Sequence, residues 1–219
     1  RRILDSRLQT TRLLFDKLNS VQHNCEAVIS ASAIGYYGLD TEDQWVDEQT
    51  GAGTGFLADV TKQWEEEITR IEELDIRVVA LRIGIVLSKM GGALPKIAQI
   101  VRANVGAVVG SGEQYMSWIH IDDLCGMIQQ AISDREIKGI YNAVAPIPVS
   151  NREFTTTLAQ VMNKTIWMPP VPGFALKMAL GEMAGLVIGG NRVSSTKMES
   201  AGFQFKFKEL KTALEDILK

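Results

Sequence analysis

Apolar positions along the chain follow two periods in turn. Over residues 1–20, Ile3, Leu4, Leu8, Leu14, Phe15 and Leu18 recur near every 3.6 residues and predict a helix. EAVISASA (26–33) is a short apolar run, the length of a strand buried on both faces, and GYYG breaks it at Gly35. Residues 39–54 are acidic, glycine-rich and loop-like. A second long helix is expected over 56–74. There Leu57, Val60, Trp64, Ile68 and Ile71 share one face, and Glu65 to Glu67 are expected mostly toward solvent. IRVVALRIGIVLS (76–88) opens with another buried strand. KMGGALPKI follows as a loop punctuated by glycine and proline and leads into a helix ending near Asn104. GAVVGSGEQYM reads as a short strand and a turn.

SWIHIDDL (117–124) puts a histidine in an apolar run with two aspartates behind it. The pattern predicts a strand over 118–121 and a helix over 122–133, with Leu124, Met127, Ile128 and Ala131 inward. Asp122 is then expected at the N-cap, where a carboxylate accepts orphan backbone N–H groups. A metal site is not expected, because the second histidine, His23, lies far off in sequence. GIYNAV is a further strand. Ser150 and Glu153 form an S-x-x-E capping pair, opening a helix marked by Phe154, Leu158 and Met162. MPPVPG reads as a stiff linker, GFQFKF alternates like an exposed strand, and the rest of the tail is mostly helical.

Helices alternating with buried strands predict a parallel sheet covered on both faces, an α/β fold, with a small and mostly helical region after Ala145. The expected division is 1–145 and 146–219. A doubly wound nucleotide fold opens with a strand, a glycine-rich turn and a helix. This chain opens on a helix, and neither G-x-G-x-x-G nor G-x-x-G-x-x-G occurs in it.

The composition changes this picture little. With 46% apolar and 22% charged residues the chain is an ordinary globular one, and a net charge of −3 gives no reason to expect nucleic acid or an anionic membrane as partner. The one basic cluster, Lys206-Phe207-Lys208, alternates with aromatics and reads as a solvated face. Two cysteines without zinc or redox spacing fit a reducing compartment. No run is long enough to span a bilayer, so a cytoplasmic location is expected.

Six stretches occur in an order that resembles the extended short-chain dehydrogenase/reductase superfamily, in its atypical "epimerase family" branch with a C-terminal domain of its own. They are SASAIGYYG (30–38), FLADVTKQWEEE (56–67), LRIGIVLS (81–88), GSGEQYMSWIHIDDL (110–124), YNAVAPIPVSNREF (141–154) and AGFQF (201–205). The resemblance implies a Rossmann-like doubly wound parallel sheet that binds NAD or NADP. It also implies that roughly 80 further residues, about two βαβ units carrying the glycine fingerprint, precede Arg1 in the whole protein. The implied substrate is a small molecule, a nucleotide sugar or another carbonyl or alcohol compound. Pairing of two chains through the helices at 1–20 and 56–74 is implied as well, although the sheet alone would account for their apolar stripes.

The superfamily's acid–base pair, Tyr-x-x-x-Lys, is absent. Lys62 stands on the expected helix, but Ala58 occupies the place four residues before it. The resemblance puts Ser32 where the substrate oxygen is held, leaving Tyr36 and Tyr37 as substitute proton donors. Ser30, Lys62, Arg82, Ile83, Gly84 and Val86 are the expected cofactor contacts, with Gly84 allowing close approach of the backbone. Gly110, Gly112 and Gln114 are expected to border the substrate, and His120 is a minority candidate beside a structural role. Loss of the pair also leaves open a protein that binds nucleotide and regulates or scaffolds without turnover.

Overall fold

A computed structural model describes residues 2–104, 106–174, 178 and 189–219. In chain order its elements are α1 (Arg2–Ser20), β1 (Ala27–Ala33), β2 (Trp45–Val46), α2 (Phe56–Thr69), β3 (Arg77–Ile83), β4 (Ile85–Leu87), α3 (Leu94–Arg102), β5 (Tyr115–Met116), β6 (Trp118–His120), α4 (Ile121–Ser133), β7 (Gly139–Ala143), β8 (Val149–Ser150), α5 (Asn151–Val161), β9 (Arg192–Val193), α6 (Thr196–Ser200) and α7 (Leu210–Leu218). The central sheet is parallel, in the order β1-β3-β7. Side chains alternate across it. Val28, Val78, Ala80 and Ile140 face Phe15, Leu18, Ile68 and Ile71 of the α1–α2 layer. Val79, Leu81, Tyr141 and Ala143 face Leu124, Met127 and Ala131 of α4. β1 is only half-buried, because it lies at the edge of the described sheet.

Gly84 divides the second long apolar run. Its N–H still bonds Ala143 of β7, but Ile85 N–H donates to the Ser117 carbonyl, and β4 then pairs with β6. A Cβ at Gly84 would lie 2.5 Å from that carbonyl, so only glycine lets the chain change partners here. Past this switch a further core forms, joining Leu87, Leu94 and Trp118 to Phe154, Leu158, Leu210 and Leu214 of α5 and α7.

The acidic stretch of α2 departs from its expected exposure. Glu65 is buried at 4% exposure and only Glu66 is freely solvated, while Glu67 pairs with Arg12 of α1. Trp64 is half-buried against α1, with Arg7 over its ring. A helix one layer outside the sheet buries more than one stripe when α1 covers its flank, which is why the period alone misplaced Glu65. Residues 203–207 are also not a strand. The alternation is real, with Phe203 and Phe205 buried and Gln204 and Lys206 exposed, but the segment joins no strand among the described residues and packs on α4. The stiff linker is tied down at one point, where Val171 bridges to Val109.

SWIHIDDL ends β6 and starts α4 one residue earlier than the pattern predicts. The N-cap is His120, whose Nδ1 accepts from the Asp122 N–H at 3.1 Å; Asp122 is a solvated first-turn acid. Asp123 is the buried one. Its two oxygens accept from the backbone N–H groups of Lys206, at 2.8 Å, and Phe207, at 3.0 Å. The Phe207 ring stacks on the His120 imidazole at 3.9 Å, and His120 Nε2 lies 3.3 Å from Asp216 Oδ2 without hydrogen-bond alignment. Both charges and rings of this stretch thus anchor the C-terminal segment.

Replacing Asp123 by Ala strands two backbone donors. It is expected to cost on the order of 2–5 kcal/mol in urea denaturation. Asp122→Ala, at the exposed neighbour, is expected to cost under ~1 kcal/mol. Equal losses at the two positions would contradict this assignment.

Candidate functional site

Three residues stand in register across the carboxyl end of the central sheet: Ser32 on β1, Arg82 on β3 and Asn142 on β7. They point to the face covered by α2, and all three are buried. Two turns into α2, Glu65 reaches down to them. Arg82 holds it bidentately, Nε to Oε1 at 2.8 Å and Nη2 to Oε2 at 2.7 Å, and Ser32 Oγ donates to the same Oε1 at 2.5 Å. The remaining edge of the guanidinium donates to the Tyr37 hydroxyl at 3.0 Å. That hydroxyl oxygen lies 2.8 Å from both the Asp47 carbonyl and Asn142 Oδ1, one of which takes its proton. Arg82 also covers the face of Tyr36, 3.4 Å from the ring centre, and Tyr36 meets Tyr37 edge to face.

The electrostatics follow from this closure. Burial alone would lower the Arg82 pKa, but the hydrogen bonds and charge of Glu65, helped by Tyr37, outweigh it and hold the pKa above its ordinary value. Burial pushes the Tyr37 phenol up to about 12, against the opposing pull of Arg82 and Asn142. Arg82 therefore stays charged and Tyr37 protonated near neutrality.

Where β1 ends, a cavity of about 620 Å³ begins. Ile34, Leu39 and Leu57 form one wall, Ile97 and Ile100 of α3 a second, and Phe154 of α5 a third. Gly190 lets the C-terminal segment close against it, since a Cβ there would strike the Tyr115 backbone at 2.1 Å. Asn191 fastens that segment to the loop after β1, donating to the carbonyls of Ile34 and Gly38.

The residues singled out from sequence divide between these features. Ser32, Tyr36, Tyr37 and Arg82 come together in the polar network. Ile83, Gly84 and Val86 lie where β3 passes into β4. Ser30 bonds a neighbouring carbonyl, and Lys62 is solvated, 3.9 Å from Glu66. Gly112 and Gln114 brace α5, accepting the Arg152 and Asn151 N–H groups. His120 caps α4. None of them lines the cavity. Sequence reasoning missed Glu65, hidden in a run of three glutamates, and Asn142, which reads as part of an ordinary strand. The missed signal for Glu65 was an arginine in a buried strand, which demands a buried carboxylate. Among the described residues no helix is long and apolar enough to cross a membrane, and no three metal-ligating side chains stand together.

Residues 171–217 match a family described as a domain of unknown function (DUF1731). The chloroplastic epimerase family protein SDR39U1 homolog of Arabidopsis thaliana is 38% identical over 218 residues, which make up 99% of this chain and 62% of that protein. An epimerase family protein of Staphylococcus saprophyticus is 37% identical over 218 residues, 99% of this chain and 72% of its own length. Both relatives are thus longer than the stretch they share. Among solved structures, the human epimerase family protein SDR39U1 (isoform 2) with NADPH matches at a TM-score of 0.91 and 29% identity, over 98% of this chain and 72% of that one. The nucleoside-diphosphate sugar epimerase of Corynebacterium glutamicum matches at 0.81 and 32%, over 99% and 42%. The Rossmann-like α/β architecture is the one expected.

Two measurements examine the network. Glu65→Ala leaves Arg82 buried without its counter-charge and is expected to cost ~3–5 kcal/mol by chemical denaturation, whereas Glu65→Leu with Arg82→Met is expected to cost far less than the sum of the single changes. The second concerns pH. An unfolded tyrosine ionises near ~10, and folded Tyr37 near about 12. Stability is expected to fall as pH rises across that window, because the unfolded chain loses the proton first. Tyr37→Phe should flatten that fall by ~1–3 kcal/mol; an unchanged slope would show that Tyr37 titrates normally.

Proposed function

The chain belongs to the epimerase family, and on that premise we propose that the whole protein binds NAD(P) along the carboxyl edge of its sheet and acts on a small carbonyl or alcohol compound in the cavity beyond. The observation that carries this reading is the join between the Ser32–Arg82–Asn142 row and the cavity mouth at Ile34 and Gly35, at the edge where open α/β sheets take their ligands. The human relative's structure was determined with NADPH, which supports the same cofactor class here.

The residues present fit the nicotinamide end of such a nucleotide better than its diphosphate. Gly35 and Gly38 leave the backbone bare beside the cavity, and the cation at this edge, Arg82, is already neutralised by Glu65. A diphosphate site is therefore proposed to lie outside these residues, on a helix N-terminus. When bound, the nicotinamide gives or takes hydride. Ser32 is proposed to hold an oxygen next to it, with its hydroxyl fixed by Glu65. Of the two tyrosines, Tyr36 is the proposed proton donor: its hydroxyl makes no hydrogen bond among the described residues, while that of Tyr37 is fully engaged in holding Arg82 and Asn142. A second reading, nucleotide binding without turnover, is favoured by Ala58 at the place of the superfamily's acid.

Calorimetric titration with NADPH and NADH is expected to show tight binding by the full-length protein and binding at least about tenfold weaker, some 1.4 kcal/mol, by the 219-residue chain. Absence of binding in both would overturn the proposal. With a substrate found by screening carbonyl compounds, Ser32→Ala or Tyr36→Phe should slow turnover by ~10²–10⁴-fold while sparing nucleotide affinity. Tight nucleotide binding with no turnover of any compound would favour the second reading.

A further inference from the structure

The walls of the cavity carry information on what enters it. Its 620 Å³ lies within the range of small-molecule sites, ~300–1,000 Å³. Among the described residues that line it there is no lysine, arginine, histidine, aspartate or glutamate. Isoleucine, leucine, valine, methionine and phenylalanine side chains make up most of the wall. The polar side chains present are neutral, and most are already used by the protein. Ser117 Oγ donates to the Asn191 carbonyl and accepts from the Val193 N–H. Asn151 accepts from the Val109 N–H, and Asn191 spends its amide nitrogen on Ile34 and Gly38. Two hydroxyls, Tyr115 on β5 and Thr155 on α5, line the cavity without a hydrogen bond among the described residues.

A nucleotide sugar is a poor match to such a wall. Its diphosphate would enter with two negative charges and meet no cation among the described lining residues, and its sugar hydroxyls would lose water with few partners there to replace it. Burying charge or hydroxyl groups unpaired is strongly unfavourable. An apolar skeleton with one carbonyl or hydroxyl group gains from the same surroundings, since it needs only one or two neutral hydrogen bonds.

We infer that this cavity binds a neutral, mainly apolar ketone or alcohol, with its polar group at the mouth beside Ile34 and Gly35 and its hydrocarbon part against Leu57, Ile97, Ile100 and Phe154, and that it does not take nucleotide sugars. The inference rests on the proposed function only in treating the cavity as the substrate's.

The test uses full-length protein saturated with NADPH, the neutral fluorophore Nile red as reporter, and two competitors, 2-decanone and UDP-glucose. 2-Decanone is expected to displace the dye, and UDP-glucose to leave it in place. Ile100→Glu puts a carboxylate on the cavity wall at a half-exposed position that tolerates charge. It should weaken 2-decanone about tenfold or more, with melting temperature and NADPH affinity unchanged. Displacement by UDP-glucose that Ile100→Glu abolishes would overturn the inference, as would failure of 2-decanone to compete. Loss of NADPH binding with ketone binding intact would instead strike the proposed cofactor role and leave the cavity assignment standing.

Discussion

The buried ion pair between Arg82 and Glu65 governs the arrangement of everything at the carboxyl edge of the sheet. An arginine on the middle strand of a three-stranded parallel sheet is among the costliest residues to place there. It is tolerated because α2 supplies a carboxylate in fork-to-fork geometry and Tyr37 accepts the remaining donor. Once that is required, the angle of α2 on the sheet, the rotamer of Ser32 and the path of the Tyr36–Tyr37 turn are no longer independent. The network has little slack, since each partner already bonds another member. Rigidity of this kind suits a platform against which a ligand is held.

Beyond the platform, the cavity exists because the chain changes sheets at Gly84 and because the C-terminal segment is fastened back over the opening. Several separate attachments do the fastening. Asp123 takes two backbone donors from Lys206 and Phe207, Asn191 bonds the loop after β1, and Val193 of β9 joins Val46 of β2. The first of these grows directly from SWIHIDDL. Its histidine caps a helix, and Asp123 clamps a distant segment. The clamp sets the start of α7, which packs with α5 onto the same core as Leu87 and Trp118, and Phe154 of α5 forms the cavity's apolar far wall.

The elements themselves were legible because each rests on local rules. Apolar periodicity placed α1, α2, α4 and the strands to within one or two residues at most ends, and Ser150 caps α5 as its S-x-x-E spacing implies. The ordered stretches that resemble the epimerase family led to the right architecture through residues such as Ser32 and Arg82, which do gather at one place. The chain alone therefore determined the main helices and central strands, that the central sheet is parallel, and which family it resembles.

It did not determine the partners of its charged residues, for a physical reason. The fate of Glu65 depends on a guanidinium 17 residues away that reaches it only after α2 docks. The exposure of Trp64 depends on α1 lying beside it. The cap of α4 is His120, not Asp122, because the buried ring stacked on Phe207 has its Nδ1 3.1 Å from the Asp122 N–H. Burial and pairing of polar groups are set by distances between elements, and those distances belong to the packed structure. The cavity has the same origin: its walls come from the turn after β1, from α3, α5 and β5, and from Asn191, segments that are neighbours only in three dimensions.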